Sequence, residues 1–293
     1  MLRQRLEAPR LTLWATSYGT HLALAYLKQF PDRVGALVLH GVEGLDHTLK
    51  RPVVVDADLA DLARRLSSGD NLPRDFVNEV ATLVDKLRDT PRTASVDGDE
   101  VTIGPFDLQL FVAAQMGTAA SRARLVAALD VLAADDYAPV ARFARSYREN
   151  RRDNLMGIAT DCASGASEAR HAAILTDLES AVTGNAINYP FPEICATVPF
   201  TDLGQEFRAP VASNVRALFI SGTLDGRTPV SNAEEVLGGL PRGEHLIVDG
   251  AGHVDEIFIS SPVILETVLA FLREEPLPTN RITAPFGLLS ADR

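Results

Sequence analysis

Three residues of the 293-residue chain are of the types that together turn a hydroxyl into a nucleophile: Ser17, Asp225 and His253. A serine oxygen is a weak nucleophile near neutral pH, so it needs a base to take its proton and a carboxylate to hold that base. Ser17 stands in "LTLWATSYGTHLAL", residues 11–24, where a short apolar run ends in a small-x-Ser-x-Gly turn and opens into a helical pattern. On such a turn a serine gains an exposed hydroxyl and a helix N-terminus that favours negative charge. It also gains the backbone N–H of the next residue, Tyr18, to hold an oxyanion. Ala15 stands where the usual pattern has glycine, and both Ala15 and Gly19 are small enough to let strand and helix approach closely.

The other two residues follow in the order Asp, His, each just beyond an apolar run. "VRALFISG" leads into "TLDGRTP" with Asp225, and "EHLIVDG" leads into "AGHVDE" with His253. In a parallel sheet, sites collect at the carboxyl ends of strands. Ser17, Asp225 and His253 are therefore expected to meet there as nucleophile, orienter and base. Other readings exist for each candidate. Asp225 with Gly226 is also a turn dipeptide. Asp249 and Asp255 flank His253, but Asp249 ends a strand and Asp255 is too near in sequence to reach the far nitrogen easily. His21 reads as a surface or helix-face residue and His40 as a possible pocket lining, while His47, His171 and His245 have no motif around them. Glu43, Glu193 and Asp202 lie near the borders of the middle segment and read as solvated surface.

The elements that must position these residues fall into three parts. Up to about residue 45 the pattern is helix end, strand (Leu11 to Trp14), helix (His21 to Gln29, with Leu22, Leu24, Ala25 and Leu27 apolar) and strand ("VGALVLHG"). This makes a βαβ unit with parallel strands. From about residue 211 the α/β logic repeats. "VRALFISG" and "EHLIVDG" are strands, "SNAEEVLGGL" is a helix capped by Ser231, and "SPVILETVLAFLREE" is a helix with proline in its first turn. The two end parts, 1–45 and 211–293, are expected to share one parallel sheet. Residues 46–210 read as a mostly helical insertion with one hairpin, "TASVDGDEVTI", turning at Asp97–Gly98. The Pro-rich tail from Pro276 has no core pattern of its own.

Composition narrows the partners. A net charge of −11, 46% hydrophobic and 23% charged residues are ordinary for one large domain or a domain carrying an insertion. No run of basic residues marks a nucleic-acid footprint. No apolar run reaches the eighteen or so residues of a membrane span, and "MLRQRLEAPR" lacks the apolar centre of a signal peptide. A cytoplasmic chain is expected as written, or a secreted one if a native N-terminal part is missing. Cys162 and Cys195 are either buried thiols or one bridge within the middle segment. Neither metal ligands nor a cofactor motif is seen, so the expected partner is a small ester or peptide.

The stretches "LWATSYGTHLALAYLKQFPDRVGALVLHGV", "VRALFISGTLDGRTPVSNAEEVLGGLP" and "HLIVDGAGHV" resemble the α/β-hydrolases of the proline iminopeptidase and tripeptidyl aminopeptidase group. The middle segment, around "GIATDCASGAS" and "FPEICATVPFTDL", resembles that group's helical cap. The resemblance implies a sheet with an inserted cap at 46–210 and gives Ser17, Asp225 and His253 the roles of nucleophile, orienter and base. It also implies strands before the nucleophile strand and a loop supplying a second oxyanion donor, to which nothing here corresponds. The edge of the Leu11–Ala15 strand then needs cover, from a second copy, the cap, the tail "ITAPFGLL" or a separate N-terminal half, and a homodimer is the expectation. Carboxylesterase activity is expected first and aminopeptidase activity second. The alternative is a non-catalytic fragment or a subunit of a split enzyme.

Overall fold

The computed structural model describes residues 2–67, 73–149, 155–197, 200–253, 257–258 and 260–284. Its first elements in chain order are α1 (Leu2–Arg5), β1 (Leu11–Thr16), α2 (Tyr18–Gln29) and β2 (Val34–His40). Then come α3 (Val53–Leu66), α4 (Phe76–Asp89), β3 (Arg92–Val96), β4 (Asp99–Ile103), α5 (Pro105–Ala114), α6 (Ala119–Ala133), α7 (Ala138–Glu149), α8 (Leu155–Ser164) and α9 (Glu168–Asp177). The last are α10 (Gly204–Arg208), β5 (Arg216–Gly222), α11 (Val230–Leu237), β6 (Gly243–Asp249), α12 (Pro262–Leu272) and β7 (Arg281–Thr283). Two compact units divide the described residues: those in 2–48, 164–167 and 202–284 form one, and those in 49–163 and 168–201 the other.

The first unit is a five-stranded sheet in the order β1-β2-β5-β6-β7, parallel throughout, with helices on both faces. Side chains alternate along β2 and β5. Leu37, Leu39, Ala217 and Phe219 point to one face, where Ala23, Leu24 and Leu27 of α2 and Ala233 of α11 cover them. Ala36, Val38, Leu218 and Ile220 point to the other, under Ile264, Val268 and Phe271 of α12. Burial on both faces explains why these two strands read as continuous apolar runs. Three segments from inside the expected 46–210 insertion belong with the sheet instead. Asp46 accepts hydrogen bonds from the Ser167 N–H (2.5 Å) and hydroxyl (2.6 Å), and Arg208 donates to the Ser164 carbonyl (2.5 Å).

Details of the end parts depart from the sequence reading. Leu22 of α2 is 54% exposed rather than buried, because the sheet-facing stripe runs through Thr20, Ala23, Leu24 and Leu27. Pro229, not Ser231, is the residue at the start of α11. The tail carries a strand: Ile247, Val248 and Asp249 pair with Arg281, Ile282 and Thr283. Residues 281–284 therefore lie at the β6 side of the sheet, away from β1, and the rest of "ITAPFGLL" lies outside the described residues.

The second unit is helical with one antiparallel hairpin, β3–β4, whose two-residue loop has both Asp97 (φ 52°) and Gly98 (φ 91°) in the left-handed region that this type of turn requires. Helices α7 and α8 lie outside the helix-period segments that the sequence offers here, "DADLADLARRLSS", "RDFVNEVATLVDKLRD", "PFDLQLFVAAQMG", "SRARLVAALDVLAAD" and "SEARHAAILTDLESAV". Arg122, fully buried, is held by the carboxylate of Asp58 and by the Met116 carbonyl at 3.1 Å. Cys162 of α8 and Cys195 form a disulfide across 33 residues of sequence. Closing a loop of that length stabilises by about 3–4 kcal/mol in the chain-entropy account. The Cys162→Ser/Cys195→Ser protein is expected to lose that much in urea denaturation, and an unchanged midpoint would contradict it.

Among the described residues β1 pairs on one side only, with β2. A groove of about 700 Å³ follows its other side, lined by Leu11, Leu13, Trp14, Leu22, Ala23 and Tyr26. Trp14 is 50% exposed there. The sequence-based expectation that this edge self-pairs is checked by light scattering at micromolar concentration. A particle of twice the 31.6 kDa chain mass is expected, and a monomer rules self-pairing out.

Candidate active site

The parallel register sets the carboxyl ends of β1, β2 and β5 on one line, with Thr16 opposite His40 and His40 opposite Ile220. The loops that leave this end carry the three candidate residues. Ser17 is the first residue after β1 and has φ 50° and ψ −127°, a conformation that L-residues rarely adopt. Its neighbours hold it there. The Ser17 N–H donates to the His40 carbonyl (3.0 Å), and the Ser17 carbonyl accepts from the Thr20 N–H (2.8 Å) and hydroxyl (2.6 Å). The Thr20 oxygen in turn accepts from the Glu43 N–H at 2.8 Å, tying the turn to the loop after β2. Tyr18 opens α2, so its N–H lies at the positive end of the helix dipole. A Cβ added at Gly19 would sit 3.8 Å from the Ala15 Cβ, so the close approach of strand and helix at this turn has room for a methyl but little more.

The imidazole of His253 bridges the other two. Its Nε2 lies 3.1 Å from Ser17 Oγ and its Nδ1 2.8 Å from Asp225 Oδ2. The carboxylate of Asp225 is sealed from solvent, whereas the imidazole is 19% exposed. Oδ1 of Asp225 accepts from the backbone N–H groups of Arg227 (2.9 Å) and Thr228 (2.8 Å), and Oδ2 accepts from the Thr228 hydroxyl (2.6 Å). Because Asp225 is an acceptor throughout, Nδ1 carries the imidazole proton, which leaves the lone pair of Nε2 facing the serine. The turn reading of Asp225 and the site reading are thus both realised by one carboxylate: Asp225 shapes the 225–228 turn and also holds His253.

Two glycines make the meeting possible. A Cβ on Gly222, the last residue of β5, would lie 2.4 Å from the Ala251 carbonyl oxygen and 2.6 Å from that of Gly252. The loop that carries His253 crosses the end of β5 at that point. Gly41, at φ +58°, lies against the ring itself, since a Cβ there would come within 3.1 Å of His253 Cε1 and 3.2 Å of Thr228 Oγ1. The stretches that carry Gly41, Gly222 and Thr228 were read for their strands and for Asp225, with no role for these three residues; only proximity in the fold identifies them.

The remaining candidates lie elsewhere. Asp249 accepts from the Thr223 hydroxyl at 2.8 Å, and Asp255 lies outside the described residues. His21 is buried rather than at the surface, its Nδ1 3.0 Å from the Gly44 carbonyl and its Nε2 3.1 Å from Ser164 Oγ. Glu43 is also buried, unlike the solvated residue expected, whereas Glu193 and Asp202 are exposed. The Gly204 N–H and the Arg208 guanidinium hold the Asp202 carboxyl below the usual range. His40 is buried at the end of β2, bonded to Thr16 Oγ1, with Phe258 edge-on at 4.4 Å. His47 accepts from the Gly44 N–H at Nδ1 and meets Glu235 at 3.1 Å through Nε2. His171 lies on α9 in the helical unit. His245 and Ser221 form a second histidine–serine pair, at 3.0 Å, but Ser221 is fully buried inside the sheet. Burial pushes that imidazole down despite the opposing charge of Glu234. Among the described residues no cluster of three or more His, Cys, Asp or Glu side chains could hold a metal ion.

The crossing at Gly222 has a direct check. In a Gly222→Ala protein the 250–253 loop must lift, and the Asp225–His253 bond should open. The measurement is the low-field proton resonance of the His253 Nδ1–H, expected to vanish in the variant; its persistence would show that the loop tolerates the methyl.

The fold agrees with sequence comparisons. The family described as "alpha/beta hydrolase fold" matches residues 1–99, and the family described as "TAP-like protein" matches residues 180–283. No curated protein matches the chain. Solved structures similar to it include a meta-cleavage product hydrolase from Pseudomonas fluorescens, at 13% identity and TM-score 0.37, covering 93% of this chain and 68% of that one. An esterase from Exiguobacterium antarcticum is 14% identical with TM-score 0.36, covering 93% and 70%. A thermophilic esterase from Thermogutta terrifontis is 13% identical with TM-score 0.32, covering 93% and 68%. The parallel sheet flanked by helices, with the two family matches on the N- and C-terminal parts of the chain, is an α/β-hydrolase fold, and the match over residues 180–283 supports the tripeptidyl aminopeptidase-like group within it.

Proposed function

We propose that the chain is a serine hydrolase that cleaves carboxylic esters through an acyl-enzyme, with Ser17 as nucleophile, His253 as base and Asp225 as orienter. The observation that carries this reading is the unbroken relay from Ser17 Oγ to His253 Nε2 (3.1 Å) and from His253 Nδ1 to Asp225 Oδ2 (2.8 Å). As Ser17 Oγ attacks the ester carbonyl, its proton passes to Nε2, and the imidazolium formed is stabilised by the Asp225 carboxylate. The carbonyl oxygen becomes an oxyanion facing the start of α2, where the Tyr18 N–H donates to it. Collapse expels the alcohol with the proton from Nε2. Water then repeats the sequence on the acyl-enzyme and restores the serine.

An ester asks least of this arrangement. An alcohol needs less help to leave than an amine, whose departure depends wholly on protonation, and each oxyanion donor is worth roughly 10²–10³ in rate. With Tyr18 as the one assigned donor, ester hydrolysis is the activity the site supports best. A second reading, release of N-terminal residues or short peptides, is favoured by the match of residues 180–283 to the TAP-like family. On either reading no metal takes part. Although no described helix is long and apolar enough to cross a membrane, the Cys162–Cys195 bridge favours an oxidising compartment over the cytoplasm.

The test is reaction of the purified chain with a fluorophosphonate probe, together with hydrolysis of p-nitrophenyl esters and of peptide anilides. Ser17→Ala should abolish labelling and hydrolysis without unfolding the protein, because the hydroxyl contributes chemistry and little packing. His253→Ala should lose nearly as much, and the double variant little more than either, since members of such a relay act as a unit. Losses that multiply would refute the coupled mechanism. Absence of labelling in the unmodified chain would favour a non-catalytic fragment or a subunit of a split enzyme.

A further inference from the structure

We propose that the Thr228 hydroxyl is a positioning group for the base: it fixes the Asp225 oxygen that holds His253 and shares the imidazole proton with it. The proposal rests on the assignment of His253 as base, but its geometry stands independently. Thr228 is 1% exposed, and its Oγ1 lies 2.6 Å from Asp225 Oδ2 and 3.2 Å from His253 Nδ1. A hydroxyl has one proton to give and lone pairs with which to accept. The short contact is to an acceptor-only carboxylate oxygen, so the proton goes there. The longer contact then has Nδ1–H as donor, and that proton is shared between Asp225 Oδ2 at 2.8 Å and Thr228 Oγ1 at 3.2 Å.

This arrangement has two consequences. The carboxylate cannot swing about its Cβ–Cγ bond, because Oδ1 is held by two backbone N–H groups and Oδ2 by the Thr228 side chain. The imidazole cannot tilt toward the turn without losing one of the two acceptors of its Nδ1–H. Gly41 lies against the same corner of the ring, where a Cβ would press on both His253 Cε1 and Thr228 Oγ1. The bonds at Nδ1 therefore fix the ring in the orientation in which Nε2 meets Ser17. Thr228 touches neither substrate nor the reacting oxygen, so it acts through the base alone.

Thr228→Val keeps the shape, the backbone N–H bonds to Oδ1 and the turn, and removes only the hydroxyl. The expected result is a fall in kcat of about tenfold to a hundredfold with KM little changed, the scale of a small misplacement of a catalytic group. Thr228→Ser should restore it. In the resting protein, loss of the donor to Oδ2 leaves that oxygen more basic, so the Nδ1 proton resonance of His253 should move further downfield in the Val protein and return in the Ser protein. Should the Val protein fail to fold, Thr228→Cys, whose thiol is a weak donor, gives the same reading. An unmoved resonance with unchanged kcat overturns the proposal. So does a Ser protein as impaired as the Val protein, since the methyl would then be what matters. If the unmodified chain is unreactive toward fluorophosphonate while the resonance still responds to Thr228→Val, the hydrolase reading fails and the positioning role stands.

Discussion

The carbonyls of Ala251 and Gly252 lie so close to the α-carbon of Gly222 that no side chain fits between them. The site depends on this crossing. Parallel pairing alone brings the ends of β5 and β6 side by side, but Asp225 and His253 lie beyond those ends, on loops free to diverge. The 250–253 loop passes directly over the last residue of β5, and the Leu224 N–H bonds the Ala251 carbonyl at 2.9 Å. The 225–228 turn and the imidazole are thereby brought within hydrogen-bond reach. From the other side, the Ser17 N–H reaches the last carbonyl of β2. Three loops are thus referred to the carboxyl end of one sheet, and rigidity of the site derives from the sheet rather than from the loops themselves.

The meeting of Ser17, Asp225 and His253 was legible because each candidate combined a local signal with a place in the chain. The serine sits on a strand-to-helix turn, and the aspartate and histidine each follow an apolar run. The sheet's central strands were legible for the same reason: buried on both faces, they are continuous runs of apolar residues. What sequence reasoning missed depends on distant contacts. The burial of His21 rests on Gly44 and on Ser164, 143 positions away. Helix α7, with three arginines among its twelve residues, looked polar, but its buried face is narrow, being Val140, Ala141 and Ala144. Strand β7, three residues long, has no period to detect and exists because β6 offers it an edge. Thr228 was invisible because threonine after a turn is commonplace until an imidazole is found beside it.

The two ends of the sheet differ in their state. At β6 the chain itself supplies β7, a short strand that shields the backbone groups there. At β1 the described residues leave the backbone edge open beside apolar side chains that include Trp14 and Leu22. Ala15 and Gly19, which flank the serine turn, line the same groove. Anything that covered the edge would therefore touch the turn that displays Ser17.

The backbone of Ser17 bears on how such a chain changes over evolutionary time. A non-glycine residue held at φ 50° costs on the order of 1–3 kcal/mol, a substantial share of the marginal stability of an ordinary domain. Glycine at that position would relieve most of the cost and remove the hydroxyl. A lineage released from selection for activity therefore has a downhill mutational route at this codon, toward a more stable and inert descendant. A lineage that retains serine in this conformation carries, in its backbone, a standing record of the chemistry it is selected to perform.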